Sequence, residues 1–269
     1  MSPESSHAPI RREPIFNLPP AVTACIGVFL AVHAARSLLS AETDFQILLQ
    51  FAFIPGPWTV AWEPSRLDEA LRQATAQGAG AEAAVRSAYA RFILGRAEPG
   101  VWTVVTYALL HGSWPHVLLN SLWFAAFGTP VARRCGAVRL ILLGLASAVG
   151  GALAHWIAHP LSVMPMIGAS AAVSGLMAAA ARFMFAPASE QHGFDHSHLG
   201  PRQGLLKLLG NKRATMFLGL WFVTNLLFGV AAAPLGVIDA SIAWEAHIGG
   251  FLIGLLLFPL LDSQMPRAR

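Results

Sequence analysis

The chain has 269 residues, of which 55% are hydrophobic and 12% are charged, and its formal net charge at pH 7 is +4. A mean hydropathy of +0.55 is too high for an ordinary water-soluble domain of this size, so that class is excluded. The basic residues lie beside apolar segments and form no stripe interleaved with aromatic residues, which argues against nucleic acid as a partner and predicts a lipid bilayer. The two cysteines, Cys25 and Cys135, provide neither a disulfide framework nor the spacing of a zinc site.

Six apolar stretches are long enough to cross a bilayer, which takes about 20 largely apolar residues. They predict an all-α, polytopic membrane protein with a bundle of six transmembrane helices. A small-residue pattern at 32–34 is similar to a signal-peptide cleavage site, but a signal peptide is the less favoured interpretation of the first stretch. The predicted spans are 20–39, 114–131, 138–158, 166–185, 214–234 and 242–261.

Between the first and second spans we expect an insertion on the outer side of the membrane, at about 40–110. Its apolar piece, 45–58, contains Pro55 and Pro57, so it is predicted to lie at the interface rather than to span. The polar, alanine-rich part, 63–100, is typical of one or two amphipathic helices. The expected organisation is a cytoplasmic segment at 1–17, a membrane domain at 18–262 and a cytoplasmic tail at 263–269.

Basic residues gather at the ends of the stretches that six spans would place on one side of the membrane. The positive-inside rule makes this side cytoplasmic, so both termini are expected in the cytoplasm. The insertion carries acidic and basic residues together, which suits the outer side. The basic residues on this side are Arg11, Arg12, Arg133, Arg134, Arg139, Arg182, Arg202, Lys207, Lys212, Arg213, Arg267 and Arg269.

This orientation brings polar residues from three spans to the outer side of the bilayer. Polar groups inside spans are costly, about 2.5–3.5 kcal/mol for a charged residue at the helix centre, and they usually face the protein interior. We therefore predict that they converge on one site. They are His111, His116 and Asn120 at the start of the second span, Ser170 at the start of the fourth and His247 at the start of the sixth.

Small residues around Ser170 and after His247 predict a close approach of two helices. Gly250 and Gly254 have the GxxxG spacing of such interfaces. A serine hydroxyl becomes a good nucleophile when a base within about 3 Å takes its proton, which makes Ser170 the candidate nucleophile and His247 the candidate base. Ser174 lies on a similar face and is the rival nucleophile.

The attack of a hydroxyl on a carbonyl produces an oxyanion, which needs hydrogen-bond donors. His116 and Asn120 are four residues apart, so they share a helix face, and both are of the right chemical type.

The remaining polar residues in and between the spans are interpreted as structural or solvent-exposed rather than catalytic. His155 and His159 are also four apart, a spacing that can bind metal or haem, but no carboxylate or cysteine accompanies them in that segment, so packing or interfacial roles are favoured. Asn225 is interpreted as a hydrogen bond between neighbouring helices. The group His192, Asp195, His196 and His198 is interpreted as a solvated loop rather than a metal site.

These motifs resemble those of the rhomboid family of intramembrane serine proteases. The nucleophile motif of the family, GxSx with a glycine five residues after the serine, is matched by Gly168, Ser170 and Gly175. Its base motif is matched by His247 and Gly250, and its second-span motif HxxxxHxxxN by His111, His116 and Asn120. The resemblance covers about 101–261 and includes the predicted number of spans.

The resemblance implies a dyad of Ser170 and His247 with no third carboxylate, and no metal, nucleotide or other cofactor. It also implies that His116, Asn120 and the backbone N–H of Ser170 line an oxyanion hole, with structural roles near the site for His111 and the motif glycines. The implied substrates are transmembrane proteins. The implied location is a bacterial inner membrane, with the site toward the outer side.

Three residues depart from the family pattern, namely Thr103 in place of arginine after Trp102, Ala171 in place of glycine, and Ser174 in place of an aromatic residue. Thr103 and Ser174 leave open an alternative, a catalytically inactive rhomboid-like protein that binds transmembrane clients, although the retained serine, histidine and oxyanion-hole residues argue against it. A small-molecule transporter is a weaker option, since the sequence shows neither internal repeats nor matched broken helices.

Overall fold

The computed structural model describes residues 17–76, 80–95, 99–186, 198–227 and 243–262. Within these ranges every regular element is a helix, which confirms the all-α prediction. Short 3₁₀ turns occur at Pro64–Arg66 and Tyr107–Leu109. The helices are α1 Pro20–Ser37, α2 Ala41–Phe51, α3 Pro55–Trp62, α4 Leu67–Thr75, α5 Gly80–Leu94, α6 Thr103–Thr106, α7 Trp114–Cys135, α8 Ala137–Ala158, α9 Ser170–Met184, α10 Leu205–Gly210, α11 Lys212–Leu226 and α12 Trp244–Leu261.

The predicted spans correspond to α1, α7, α8, α9, α11 and α12. Of the described helices, α1, α8 and α12 are long and apolar enough to cross a membrane, and α9 is a shorter apolar helix. The predicted fifth span continues to residue 234, and its last part lies outside the described residues. The structure is therefore a polytopic helical bundle, as predicted. That the bundle has six spans stays a prediction.

Local sequence signals set where the helices of the site begin. Ser113 is the N-cap of α7, and its hydroxyl accepts a hydrogen bond from the backbone N–H of His116 at 3.3 Å. Pro115 lies in the first turn of α7, where its missing N–H costs nothing. The predicted fourth span starts four residues late, at Ser170, because Gly168 has φ +119°, a positive value that favours glycine and does not occur within an α-helix.

Glycines bring α8, α9 and α12 into backbone contact at the centre of the bundle. A Cβ atom on Gly250 would overlap the carbonyl of Ala171, and one on Gly254 would overlap the backbone of Gly175. Interfaces of small residues let membrane helices approach closely enough to pack backbone against backbone. The predicted close approach of the helices that carry Ser170 and His247 is therefore present.

The region between α1 and α6 forms a separate small core that packs against the loop leading to α9. The predicted amphipathic segment contains two helices, α4 and α5. Thr59 donates to the carbonyl of Pro160 at 2.5 Å, and Phe53 and Met166 form an antiparallel bridge. Burial raises the pKa of the Tyr89 phenol, which stays neutral and donates to the carbonyl of Val163 at 3.4 Å. The insertion thus braces the chain that precedes Ser170.

At the opposite end of the bundle, α7 and α12 are joined by a buried ion pair. Arg134 Nε lies 2.9 Å from Asp262 Oδ1, and the two side chains are 2% and 1% exposed. Arg134 also donates to the carbonyl of Gly200 at 2.6 Å, and its guanidinium lies over the ring of Phe183. Arg134, one of the basic residues that predict the cytoplasmic side, also joins the ends of two helices.

Candidate active site

The structure brings Ser170 and His247 into direct contact, although they are 77 residues apart in the chain. Ser170 is the first residue of α9, and His247 lies in the first turn of α12. The distance from His247 Nε2 to Ser170 Oγ is 2.7 Å. This distance is within hydrogen-bond reach, as a nucleophile and its base require.

Asn225 of α11 contacts the other nitrogen of the same imidazole. Its Oδ1 forms a hydrogen bond with His247 Nδ1, and its Nδ2 donates to the carbonyl of Trp221 at 2.8 Å. Because the amide NH₂ faces a carbonyl, the amide oxygen faces His247, and this assigns the proton of the neutral ring to Nδ1. Nε2 is then the acceptor for the hydroxyl of Ser170.

The sequence interpretation of Asn225 as a residue that bonds a neighbouring helix gave the type of contact but not its partner. The only sequence signal was a carboxamide in an apolar span, where polar groups usually face the protein interior. Its relation to His247 depends on how α11 and α12 pack.

His116 and Asn120 lie beside the backbone that precedes Ser170. A Cβ atom on Gly168 would lie 2.7 Å from His116 Nε2 and 3.7 Å from Asn120 Nδ2, so a side chain at this position would fill the space next to both donors. His116 Nδ1 accepts from the backbone N–H of Gly112 at 3.5 Å, which leaves Nε2 as the protonated nitrogen. Two side-chain donors thus border the start of α9.

The first N–H groups of a helix have no partner within that helix. The N–H of Ser170 is one of these in α9. The side-chain donors lie next to Gly168, and this backbone donor follows two residues later, at the first residue of α9.

His111 is buried and holds the segment before α7 in place. Its Nε2 accepts from the backbone N–H of Ala169 at 3.5 Å, and its carbonyl accepts from Arg36 Nη1 at 2.9 Å. Arg36 is in turn paired with Asp44 at 2.7 Å. Arg36 and Asp44 were not predicted as site residues, although an arginine at the end of an apolar span is a detectable signal in the sequence.

The residues that depart from the family pattern have defined contacts. Ser174 donates its hydroxyl to the carbonyl of Ser170 at 2.7 Å, a back-bond that is typical of serines with a packing role in helices. Thr103 donates to the carbonyl of Gly100 at 2.7 Å and so closes the turn before α6. The backbone of Ala171 contacts Gly250 in the interface between α9 and α12.

The histidines that the sequence analysis assigned to other roles fall in two places. His155 and His159 lie at the end of α8, next to Glu245 of α12, so a carboxylate from a distant segment accompanies them. Of the predicted loop group, His198 accepts with its carbonyl from Arg134 at 2.9 Å. The other members, His192, Asp195 and His196, lie outside the described residues.

The helices and the polar site define an integral membrane protein of the polytopic all-α class. A family model described as the Rhomboid domain matches residues 98–263. Because this match covers more than half of the chain, the chain belongs to the rhomboid family.

Relatives of this chain include several proteins that are named as rhomboid proteases. The rhomboid protease GlpG of Haemophilus influenzae is 28% identical over 169 residues, which cover 61% of this chain and 71% of that protein. The GlpG proteins of Serratia proteamaculans and Enterobacter are 27% and 29% identical, and in each case the match covers 58% of this chain and 47% of the relative. Because these relatives are named as proteases, they support intramembrane protease activity in the family to which this chain belongs.

Proposed function

We propose that this chain is a serine endopeptidase that hydrolyses peptide bonds in or near the transmembrane segments of other membrane proteins. The observation that carries the proposal is the 2.7 Å distance between His247 Nε2 and Ser170 Oγ. The hydrogen bond from Asn225 to the other ring nitrogen supports it, because it favours the tautomer that accepts the serine proton.

In the proposed reaction, Ser170 Oγ attacks the scissile carbonyl while His247 Nε2 takes the hydroxyl proton. A tetrahedral intermediate forms, and His247 then donates the proton to the leaving amine, so that the peptide bond breaks and an acyl-enzyme remains. Water, deprotonated by the same imidazole, attacks the ester carbonyl. The acid product leaves, and the proton returns to Ser170. This sequence uses only these side chains and water.

The negative charge of the intermediate would be stabilised by three donors. They are His116 Nε2–H, the amide of Asn120 and the backbone N–H of Ser170. Their position around Gly168 supports this role, since no side chain occupies that space. Donors held in place before the reaction stabilise the developing oxyanion strongly, because they need no reorganisation.

The proposed topology places both termini in the cytoplasm of a bacterial cell and the site toward the outer side of the inner membrane. Transmembrane proteins are the proposed substrates. The peptide bonds of a transmembrane helix are shielded by internal hydrogen bonds, so the substrate must unwind near the cleavage site. A reporter with a helix-breaking residue there is expected to be cut faster than a matched reporter with a stiffened helix, and equal rates would contradict this requirement.

The test is cleavage of a transmembrane reporter by the purified protein in liposomes. Ser170→Ala and His247→Ala are each expected to lower kcat by on the order of 10⁴-fold or more, because the two residues act as a unit. Ser174→Ala is the matched control. It is expected to keep activity, since the hydroxyl of Ser174 donates a hydrogen bond to a backbone carbonyl of its own helix.

Cleavage that survives in Ser170→Ala but not in Ser174→Ala would reverse the assignment of the nucleophile. If the wild type neither cuts reporters nor reacts with a fluorophosphonate at Ser170, the client-binding alternative replaces the protease.

A further inference from the structure

A second cluster of ionisable side chains lies where α8 ends and α12 begins. His155 is in the last turn of α8, His159 is its C-cap, and Glu245 is in the first turn of α12. One ligand atom from each of the three residues lies within 4.8 Å of the others. This cluster is distinct from the Ser170 and His247 contact, because Glu245 turns toward α8 and His247 toward α9.

The three side chains are a ligand set of known chemistry. Two imidazoles and one carboxylate bind zinc in sites that keep a fourth position for water. Zinc bonds of about 2.0–2.2 Å place tetrahedral ligand atoms roughly 3.3–3.5 Å apart. The distance from His159 Nε2 to Glu245 Oε1 is 2.8 Å, and that from His155 Nδ1 to Glu245 Oε2 is 3.7 Å. Both distances are close to these values, and all three ligand atoms lie within 4.8 Å of one another, so side-chain rotations would bring them around an ion.

A buried nitrogen of His155 gives a further reason to expect a ligand. Its Nδ1 lies 3.7 Å from Glu245 Oε2, which is longer than a normal hydrogen bond, and it has no closer partner among the described residues. Buried side-chain nitrogens in proteins normally have a partner. An ion between this nitrogen and the carboxylate would supply one.

The cluster is also partly exposed at the surface of the protein. The side chain of His159 is 48% exposed, whereas that of Glu245 is 15% exposed. An ion would therefore meet His159 first and reach the more buried ligands by a small rotation of that ring. A site needs such a path as well as suitable ligands.

We propose that His155, His159 and Glu245 bind a divalent transition-metal ion, with zinc as the expected occupant. The ion joins the end of α8 to the first turn of α12. Because Glu245 precedes His247 by two residues, the ion restrains the same helical turn that holds the proposed base. It acts on the position of this turn and takes no part in the hydrolysis itself.

The test is a calorimetric titration of zinc into the full chain, purified in detergent without a polyhistidine tag. One zinc per chain is expected. His159→Gln and Glu245→Gln are each expected to weaken binding by at least about tenfold. A triple variant of the loop histidines, with alanine at His192, His196 and His198, is the matched control and is expected to bind as the wild type does.

Thermal unfolding provides a readout that shows whether each variant is folded. Zinc is expected to raise the Tm of the wild type, since an ion that binds only the folded state stabilises it, and to raise the Tm of His159→Gln by less at the same zinc concentration. His159 is half exposed at a helix end, so its replacement is compatible with folding. The same titration in Ser170→Ala separates this proposal from the proposed protease activity.

Three results would overturn the proposal. The first is the absence of zinc binding to the wild type. The second is wild-type affinity in both His159→Gln and Glu245→Gln. The third is loss of binding in the loop variant alone, which would place the ion on the loop histidines instead.

Discussion

The imidazole of His247 is held from two sides, and each contact controls a different property. Ser170 Oγ at Nε2 is the group whose proton would be taken, whereas Asn225 Oδ1 at Nδ1 controls the ring tautomer and orientation. The second contact is neutral, so it orients the ring without the charge stabilisation that a carboxylate would give to an imidazolium. We therefore propose Asn225 as a positioning residue for His247.

Removing the amide of Asn225 is expected to slow catalysis. In Asn225→Ala we expect kcat to fall by about 10-fold to 100-fold, with KM little changed. This loss does not exceed the lower end of the 10²–10⁴-fold that a positioned base contributes, because the base itself is still present. Kinetics of reporter cleavage and the rate of fluorophosphonate labelling at Ser170 would measure this.

The neighbouring substitution Thr224→Ala is the control, since that hydroxyl donates to the carbonyl of Leu220 in its own helix. Wild-type kcat in Asn225→Ala would show that the ring is oriented by packing alone. Restoration by Asn225→Gln would indicate that an amide oxygen is the required group.

At the scale of the helices, the site depends on how closely α9 and α12 approach. Their contact is backbone to backbone at Gly250 and Gly254, so even one additional methyl group has no space. Apolar area stabilises association poorly where lipid competes, and membrane helices rely on such close packing instead. The same contact brings Ser170 and His247 to hydrogen-bond distance.

Adding a side chain in this interface is expected to separate the two helices. Gly250→Val should lower the free energy of unfolding by about 3 kcal/mol or more, because a backbone carbonyl is harder to displace than a side chain. It should also abolish cleavage. Thermal unfolding in detergent and reporter cleavage would measure the two effects.

Gly144→Val on α8 is the matched control, because a Cβ atom at that position has no neighbour within 4 Å from the other described parts of the chain. Equal Tm values for the two variants would refute the importance of this interface.

At the scale of the whole molecule, the two ends of the bundle are stabilised differently. Near the proposed active site, the chain is held by hydrogen bonds and helix caps, by Arg36 and Asp44, and by the contact of Glu245 with His159. At the other end, Arg134 and Asp262 join α7 to α12 in a buried ion pair. Breaking a buried pair leaves one charge without compensation, which costs more than the pair contributes.

The substitution Asp262→Asn is expected to reduce the free energy of unfolding by about 3–5 kcal/mol. The proposed active site is at the other end of α12, so residual folded protein should keep its kcat. Thermal unfolding together with cleavage kinetics would test both statements.

The exposed pair of Arg66 and Glu69 provides the control, and Glu69→Gln should leave the Tm unchanged because surface pairs contribute little. A Tm of Asp262→Asn equal to that of the wild type would contradict the structural role of the buried pair.

Much of the helical architecture could be predicted from the sequence, because the length of an apolar run and its capping residues are local properties. The start of α7 follows from Ser113 and Pro115, and the late start of α9 follows from Gly168. The pairing of Ser170 with His247 could be anticipated for a related reason. Small residues flank both, and the predicted topology places both at the same membrane depth.

The partners of Asn225, Glu245 and Arg36 could be decided only by the tertiary structure. Residue spacing determines which side chains share a face of one helix, but not which face of another helix they meet. Glu245 and His247 are two residues apart and point to different neighbours, α8 and α9, because each residue rotates the helix by about 100°. How far α12 is rotated against those neighbours is set by the glycine contacts, and these form only when the whole bundle packs.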